Sequence, residues 1–258
     1  MSLGASLLLV WACAAVAQAG AFAWQRRRRN AGIVDVVWSL GVGGAALLLA
    51  LVGSGAPLPR ALLAVLGGAW GLRLGLHLWR RVRAEGEDGR YAHLRRHWGD
   101  SDGKWFAFFQ AQALLVVLFA LPFAVVAGSP VAAFGWQHVA GIAVWVLSVA
   151  GEGVADRQLA AFRADAANRG KVCDVGLWRY SRHPNYFFEF LHWFAYGLLA
   201  IGAPHAWLAW SGPLVMYVFL RWISGIPHTE AQSLRTRGQA YRDYQRRTPM
   251  LIPWFPKR

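Results

Sequence analysis

Seven apolar runs of membrane length follow one another along this chain of 258 residues. A lipid bilayer has a hydrocarbon core about 30 Å thick, which a helix of about 20 residues can cross. Because lipid offers no hydrogen-bond partners, the backbone N–H and C=O groups must pair within each run, and such runs fold as helices. The sequence therefore predicts an all-α fold, a polytopic membrane bundle of about seven transmembrane helices. The predicted spans cover residues 3–24, 31–52, 61–79, 105–127, 131–150, 186–202 and 206–224.

Positive charge is distributed unevenly between the connections of this bundle. The chain has 27 Lys and Arg against 13 Asp and Glu, yet 25 of the 27 fall in alternate connections and the C-terminal segment. Basic connections stay in the cytoplasm, so the N-terminus is predicted outside and the C-terminus inside, as in a bacterial inner-membrane protein. The first run is followed by four arginines, which predicts a retained span rather than a cleaved signal peptide. Charge confined to short connections also excludes nucleic acid as a partner.

One polar, cationic and aromatic stretch, residues 176–186 (GLWRYSRHPNY), opens directly onto the sixth run. Pro184 fits the first turn of a helix, where its missing N–H is tolerated. Beyond it, four polar residues recur on one helical face, at i, i+4, i+7 and i+11. They are Asn185, Glu189, His192 and Tyr196. A polar stripe inside lipid is unfavourable unless it lines a wet or ligand-filled cavity, so this stripe predicts a cavity wall entered from the basic side.

Charged residues also lie within the second and third predicted spans. Asp35 lies near the inner end of the second span, and Arg73 lies in the third, on a face that also carries His77 and Arg80. A charge inside a span indicates a functional site by default. Two interpretations stay open, because Asp35 and Arg73 could act on a substrate or could form a structural ion pair with each other.

The inner connections hold a candidate anion site. Arginine presents a planar fork that pairs with phosphate through two hydrogen bonds. Four basic residues of one connection therefore form a plausible diphosphate grip: Arg163, Lys171, Arg179 and Arg182. The alternative is that these charges serve membrane insertion and contact with anionic lipid. No glycine-rich phosphate motif is present, and Cys13 and Cys173 lack the spacing of a metal site, so no metal is predicted.

Eight short segments together carry a family resemblance. They are residues 35–38, 70–74, 87–91, 155–159, 176–186, 225–230, 241–244 and 251–253. With these segments the chain resembles the DUF1295-type bacterial membrane family, which is allied to steroid 5-alpha-reductases. Sterol C14-reductases and isoprenylcysteine carboxyl methyltransferases are more distant relatives. The resemblance covers nearly the whole chain and is most specific from Asp156 onward.

The resemblance implies a single membrane-embedded domain over residues 1–258 that binds NADPH. Residues 1–130 would form the substrate side, and residues 131–258 the cofactor half, with cytoplasmic loops and a C-terminal helix closing the site. Asn185 and Glu189 would meet the nicotinamide and its ribose. The diphosphate and adenosine would meet Asp156, Arg163, Arg179, Tyr180, Arg182, Tyr241 and Tyr244. The same site would include His183, Tyr186, His228 and Glu230.

In steroid 5-alpha-reductases a glutamate of the second helix and a tyrosine of the third polarise the enone oxygen. Asp35 and Arg73 are the nearest equivalents here, and the resemblance implies that they are catalytic. A hydride from NADPH reaches the β-carbon only if a donor meets the charge that develops on the carbonyl oxygen. Arg73, or a protonated Asp35, could be that donor.

These observations predict NADPH-dependent reduction of a carbonyl-conjugated C=C bond. The expected partners are a lipophilic substrate, steroid-like or isoprenoid, and membrane lipids. One alternative is an S-adenosylmethionine-dependent methyltransferase of a lipid or prenyl-cysteine. A second is a non-enzymatic membrane transporter or lipid-binding protein that uses the polar stripes as a pathway.

Overall fold

The structure, a computed structural model, describes residues 1–257. These residues form nine α-helices and no strand, which confirms the all-α prediction. The helices are α1 (Leu3–Arg28), α2 (Ile33–Val52), α3 (Pro57–Ala84), α4 (Gly89–Trp98), α5 (Asp102–Ala127), α6 (Trp136–Ala164), α7 (Pro184–Leu199), α8 (Ser211–Val218) and α9 (Ile226–Arg247).

Five of the seven predicted spans are helices long and apolar enough to cross a membrane, namely α1, α2, α3, α5 and α6. The sixth predicted span is the shorter α7, whose 16 residues extend about 24 Å at 1.5 Å per residue. The seventh is divided, because Ala206–Trp210 forms a 3₁₀ turn before α8 and Phe219–Ile223 forms a π-helical turn after it. Both segments are helical, as predicted, but neither forms one long helix.

Contacts within the chain divide it into two compact units. The first unit consists of Met1–His138 and Tyr196–Ser211, and the second of Val139–Ala195 and the chain from Gly212 onward. The boundaries therefore fall inside α6, α7 and α8. The predicted division at residue 130, into a substrate side and a cofactor half, stays a prediction.

The first unit depends on a close approach of α2 and α3. A Cβ built on Gly71 would lie 2.5 Å from the Cα of Gly43, so only glycine lets the two backbones meet here. At the end of the unit where α2 begins, aromatic side chains of α4 and α5 bury Ile33 and Val34. Tyr91, Trp105 and Phe109 are the buried aromatics of this cluster.

The second unit joins the segment before α7 to the C-terminal residues. The Arg182 N–H donates to the Pro249 carbonyl (2.9 Å), and the Trp254 N–H donates to the Tyr180 carbonyl (2.9 Å). α9 is interrupted at Gly238, which has a φ of 52° that glycine adopts readily. The chain that follows α9 thus returns along residues 180–182.

The close approach of Gly43 and Gly71 predicts that a side chain larger than that of glycine does not fit at position 71. Gly71→Ala should lower the free energy of unfolding by about 1–3 kcal/mol, because the new methyl group would overlap the α2 backbone. Gly44→Ala is the matched control, since a Cβ there meets nothing within 4 Å. Thermal unfolding of the purified proteins in detergent measures the difference. Equal midpoints for the two variants would contradict the close packing of α2 on α3.

Candidate functional site

Asp35 lies at the centre of a polar network in the first unit. One oxygen of its carboxylate accepts a hydrogen bond from Arg90 (Nη2 to Oδ2, 3.0 Å), and the other accepts one from the Tyr91 hydroxyl (2.7 Å). Asp88 accepts from the Arg90 Nε (3.1 Å) and from Arg81 (2.8 Å). The short acidic and basic segment before and at the start of α4 therefore fastens that helix to the ends of α2 and α3.

A second ion pair strengthens the same attachment. Arg95 donates from Nε and Nη2 to the two carboxylate oxygens of Glu87, over 2.9 and 2.7 Å. Glu87 Oε1, which accepts from Nη2, also accepts a hydrogen bond from the Ala31 N–H (2.8 Å), at the turn between α1 and α2. The Arg95 guanidinium lies 4.8 Å from the centre of the Trp105 ring, a favourable cation–π distance. Glu87 thus ties α4 to the start of α2.

The surroundings of Arg90 and Tyr91 raise the pKa of both side chains. Burial alone would lower the pKa of Arg90, but the Asp35 carboxylate beside it raises that pKa above its ordinary value. Burial and the negative charge of Asp35 both raise the pKa of Tyr91. Arg90 therefore stays a cation and Tyr91 stays a hydrogen-bond donor.

The structure does not bring Asp35 and Arg73 together. Since Gly43 faces Gly71 in the antiparallel pair of α2 and α3, Arg73 lies opposite Gly41. Six residues along a helix correspond to about 9 Å, which separates that level from Asp35. His77 and Arg80, predicted on the same face as Arg73, are exposed. Of the two interpretations left open by the sequence, the ion pair of Asp35 with Arg73 is not formed, because Asp35 pairs with Arg90. A catalytic role for either residue stays a prediction.

In the second unit Arg182 is directed inward. Its Nε donates to Glu230 (2.7 Å), and its Nη1 donates to the carbonyls of Gln245 (3.0 Å) and Thr248 (2.8 Å). The side chain of Arg182 is only 11% exposed, and that of Glu230 is 16% exposed. Gln245 also donates to the other Glu230 oxygen (2.8 Å). Arg182 thus joins the start of α7 to both ends of α9.

His183 and Tyr244 complete this joint. His183 Nε2 lies 3.2 Å from Glu230, and its ring stacks on Tyr186 with centroids 5.4 Å apart. The Tyr244 hydroxyl donates to the Trp178 and Ser181 carbonyls. These contacts hold residues 178–183 against α9.

Charge in the joint is carried by Glu230 and Arg182. Burial would raise the pKa of Glu230, but hydrogen bonds from His183 and Arg182 outweigh it and lower that pKa to about 2. Burial lowers the pKa of His183 more than Glu230 raises it. His183 is therefore neutral at pH 7 and donates Nε2–H to a carboxylate whose counter-ion is Arg182.

The four residues of the predicted diphosphate grip have three different surroundings. Arg182 is buried in the joint just described. Arg163 acts together with Arg237 on Cys173: burial raises the pKa of that thiol, and both guanidinium groups oppose the rise. Arg237 also donates to the Lys171 carbonyl (2.9 Å). Arg163 lies at the end of α6, Lys171 lies in the connection between α6 and α7, and Arg237 of α9 contacts that connection. We call these three residues the loop cluster.

Arg179 faces a separate cleft of about 290 Å³. The cleft is lined by Asp174, Arg179, Arg247, Thr248, Pro256 and Lys257. Three of these side chains are cationic and one is acidic, and the acidic Asp174 lies 3.8 Å from Arg247. We call this feature the C-terminal cleft.

The residues predicted at the nicotinamide end gather where α7 begins. The Asn185 amide donates to Asp156 of α6 (3.2 Å), and its oxygen accepts the Tyr186 N–H (3.0 Å). Glu189 accepts from the Trp193 indole (3.3 Å) one turn along α7. Of the other predicted cofactor residues, Tyr241 is buried, whereas Tyr180 and His228 are exposed.

Several residues of these sites were not predicted. Arg90 and Tyr91 belonged to a segment used only for the family resemblance, and their pairing with Asp35 crosses more than 50 residues of sequence. Arg237, Arg247 and Lys257 were absent from the predicted grip. The net charge of the C-terminal segment was the only sequence signal that could have indicated them.

Comparison with known families agrees with the resemblance seen in the sequence. A family described as "Protein of unknown function (DUF1295)" matches residues 21–248. The chain belongs to this family. The DUF1295 match extends from α1 through the end of α9 and so includes the Asp35 network, the Arg182 joint and the loop cluster. No curated protein matches the chain. The alliance with steroid 5-alpha-reductases stays a prediction.

The Asp35 network predicts which charge pair is coupled. Asp35→Asn and Arg90→Met should each lower the free energy of unfolding, by about 1.5–3 kcal/mol for a charged hydrogen bond. The double variant should be more stable than the sum of the two losses predicts, because the residues are in contact. Asp35→Asn combined with Arg73→Met is the control and should be additive. Coupling in the Arg73 cycle instead would restore the ion pair that the sequence suggested.

The Arg182 joint predicts a dependence of stability on pH. A carboxylate whose folded pKa is lowered stabilises the fold above its ordinary pKa, 4.5, and this contribution disappears as the pH falls toward about 2. Glu230→Gln should remove that contribution and destabilise the protein at pH 7, by about 3–5 kcal/mol for a broken buried pair.

The matched control for this prediction is Asp243→Asn, on the same helix. Asp243 pairs with Arg246 on the surface, where an ion pair contributes about 0–1 kcal/mol. Unfolding midpoints measured between pH 3 and pH 7 should separate the two variants. A Glu230→Gln variant with the stability and pH profile of Asp243→Asn would contradict the joint.

Proposed function

We propose that this DUF1295 chain is a membrane-embedded reductase that uses NADPH to saturate a carbonyl-conjugated C=C bond of a lipophilic substrate. The observation that carries the proposal is the loop cluster, in which Arg237 donates to the Lys171 carbonyl (2.9 Å). Arg163 and Arg237 both oppose the rise that burial causes in the pKa of the Cys173 thiol. Arg163 and Lys171 are exposed, so an anionic ligand can reach them. Arginine forks pair well with phosphate oxygens.

The charge of the cluster separates two cofactor classes. NADPH carries a diphosphate and a 2′-phosphate, whereas S-adenosylmethionine carries no phosphate and has a cationic sulfonium. A cluster of three cations favours the first and repels the second. Asp174 also acts on the Cys173 thiol, and its one carboxylate is outnumbered by the three cations of the cluster. The donor set therefore fits a phosphate-bearing nucleotide.

The start of α7 supplies the remaining polar groups of the proposed cofactor site. When bound, NADPH would supply the hydride that adds to the β-carbon of the substrate. Asn185 is held by Asp156 and presents an amide at a fixed position, with Glu189 one turn further along the helix. Arg182 is a positioning residue in this proposal, since its fork is already occupied by Glu230 and two carbonyls.

In the first unit, we propose Arg73 as the donor to the substrate oxygen. A cation that meets a developing oxyanion typically accelerates such a step by about 10²–10³-fold. Asp35 is an unsuitable donor as it stands, because both of its oxygens already accept hydrogen bonds. The proposal retains the orientation expected from the basic connections, with Met1 outside and the C-terminus in the cytoplasm of a bacterial inner membrane.

Ligand-induced stabilisation tests the cofactor. Purified protein is heated with NADPH or with S-adenosylmethionine, and the unfolding midpoint is recorded. NADPH should raise the midpoint of the wild type. Arg163→Gln with Arg237→Gln should remove most of the rise, since loss of one charge-assisted hydrogen bond weakens binding by about one to two decades. Arg235→Gln is the matched control, because two residues along a helix place its side chain on another face.

The same preparation tests the reaction. NADPH oxidation should begin when a lipophilic enone is added and should require Arg73. Stabilisation by S-adenosylmethionine and not by NADPH would replace the reductase with a methyltransferase. Stabilisation by neither nucleotide would leave a membrane protein that binds or transports lipophilic molecules.

A further inference from the structure

The C-terminal tail exposes large apolar side chains. Ile252 is 61% exposed, Trp254 70% and Phe255 72%. The tail contains three prolines within residues 249–256 and forms no helix. Three exposed large apolar residues within four positions are unusual on a surface that faces water. They are the residue types that occupy the boundary between a bilayer and water.

Contacts of the tail with the segment before α7 relate it to one level along α6. α6 starts at Trp136, and Ala155 lies 19 residues further along it. At 1.5 Å per residue this is about 29 Å, the thickness of the hydrocarbon core. The Trp178 indole donates to the Ala155 carbonyl (2.9 Å), so residue 178 lies at that same level. Trp254 is attached two residues later, at the Tyr180 carbonyl.

The tail is held in a defined conformation. The Ser181 hydroxyl donates to the Leu251 carbonyl (2.8 Å), and the Lys257 N–H donates to the Arg247 carbonyl (2.8 Å). The Phe255 ring contacts Tyr180 edge to face, with centroids 6.0 Å apart. Because the apolar side chains are already ordered, binding to a membrane costs little further conformational entropy, and this favours binding.

The C-terminal cleft lies against the same tail. Pro256 and Lys257 form part of its wall, together with Arg179 and Arg247. Its three cations exceed its one carboxylate, so it complements an anionic group. Near an anionic leaflet each Lys or Arg contributes about 1 kcal/mol, which is about a fivefold change in binding.

We propose that the tail is a membrane anchor, in which Ile252, Trp254 and Phe255 enter the inner leaflet and the C-terminal cleft binds the phosphate of an anionic lipid. The apolar side chains reach the acyl boundary, and the lipid phosphate lies at the level of the basic side chains. The anchor uses Arg179, Arg247 and Lys257, not the loop cluster, and is independent of the proposed reductase.

Site-specific fluorescence tests insertion. The full-length chain carries Cys13→Ala with either Phe255→Cys or, as the control, Arg235→Cys, and is labelled with an environment-sensitive fluorophore. The buried Cys173 stays in place. In nanodiscs of phosphatidylcholine with brominated acyl chains, the label at position 255 should lose most of its fluorescence and the label at 235 should keep it. Unquenched fluorescence at 255 would overturn the anchor.

Thermal unfolding in nanodiscs tests the cleft. Nanodiscs that contain phosphatidylglycerol should raise the wild-type midpoint above that in phosphatidylcholine alone. Arg179→Gln, Arg247→Gln and Lys257→Gln together should remove most of the rise. A control triple of the same charge, Arg169→Gln, Arg235→Gln and Arg242→Gln, should keep it. If the cleft triple does not fold, Lys257→Gln alone should reduce the rise, because its side chain is exposed.

Two results would overturn the lipid site. One is an equal rise for the cleft triple and the control triple. The other is a rise of the same size when inorganic pyrophosphate or NADPH is added to phosphatidylcholine nanodiscs, provided that the cleft triple abolishes it, since the cleft would then bind a soluble phosphate. Loss of the NADPH effect through the loop cluster alone leaves the lipid proposal intact.

Discussion

The guanidinium group of arginine needs acceptors for its planar fork wherever water is excluded, because an unpaired buried charge costs several kcal/mol. This requirement governs the polar joints of both units. In the first unit Arg90 and Arg95 use Asp35 and Glu87, and α4 is thereby attached to α2. In the second, Arg182 uses Glu230 and two backbone carbonyls. Each joint fastens a connecting segment to the end of a helix, where backbone acceptors and carboxylates are available.

The long helices could be predicted because apolar length is a local property. α1, α2, α3, α5 and α6 each follow from one uninterrupted run, whatever the rest of the chain does. The last two runs have a similar composition, but the 3₁₀ turn at Ala206–Trp210 and the π-helical turn at Phe219–Ile223 divide the second of them. Hydropathy averaged over a window does not register a change of helix type, because the residues stay apolar through it.

The sequence could indicate which segments contact each other, but not which charged residues form ion pairs. Residues 176–186 and α9 meet through Arg182, His183 and Glu230. The cofactor contacts that the resemblance implied for these segments stay predictions. The sequence could not choose the partner of Asp35, because an ion pair depends on tertiary distance and both Arg73 and Arg90 were available. The choice follows from the register of α2 on α3, which two glycines determine through backbone contact.

Insertion into a membrane explains the number of cations but not their placement. The positive-inside rule depends on the number of Lys and Arg residues near the ends of spans. It does not specify which of these residues lie close to one another. A chain that obeyed only this rule could exchange Arg179 with any neighbour in the same connection. Here Arg182 is buried against Glu230, while Arg179 faces Arg247 and Lys257 in a cleft. Like charges repel, so gathering three of them opposes folding unless an anion is bound. A phosphate-bearing ligand at the cleft or at the loop cluster, as proposed above, would relieve this repulsion.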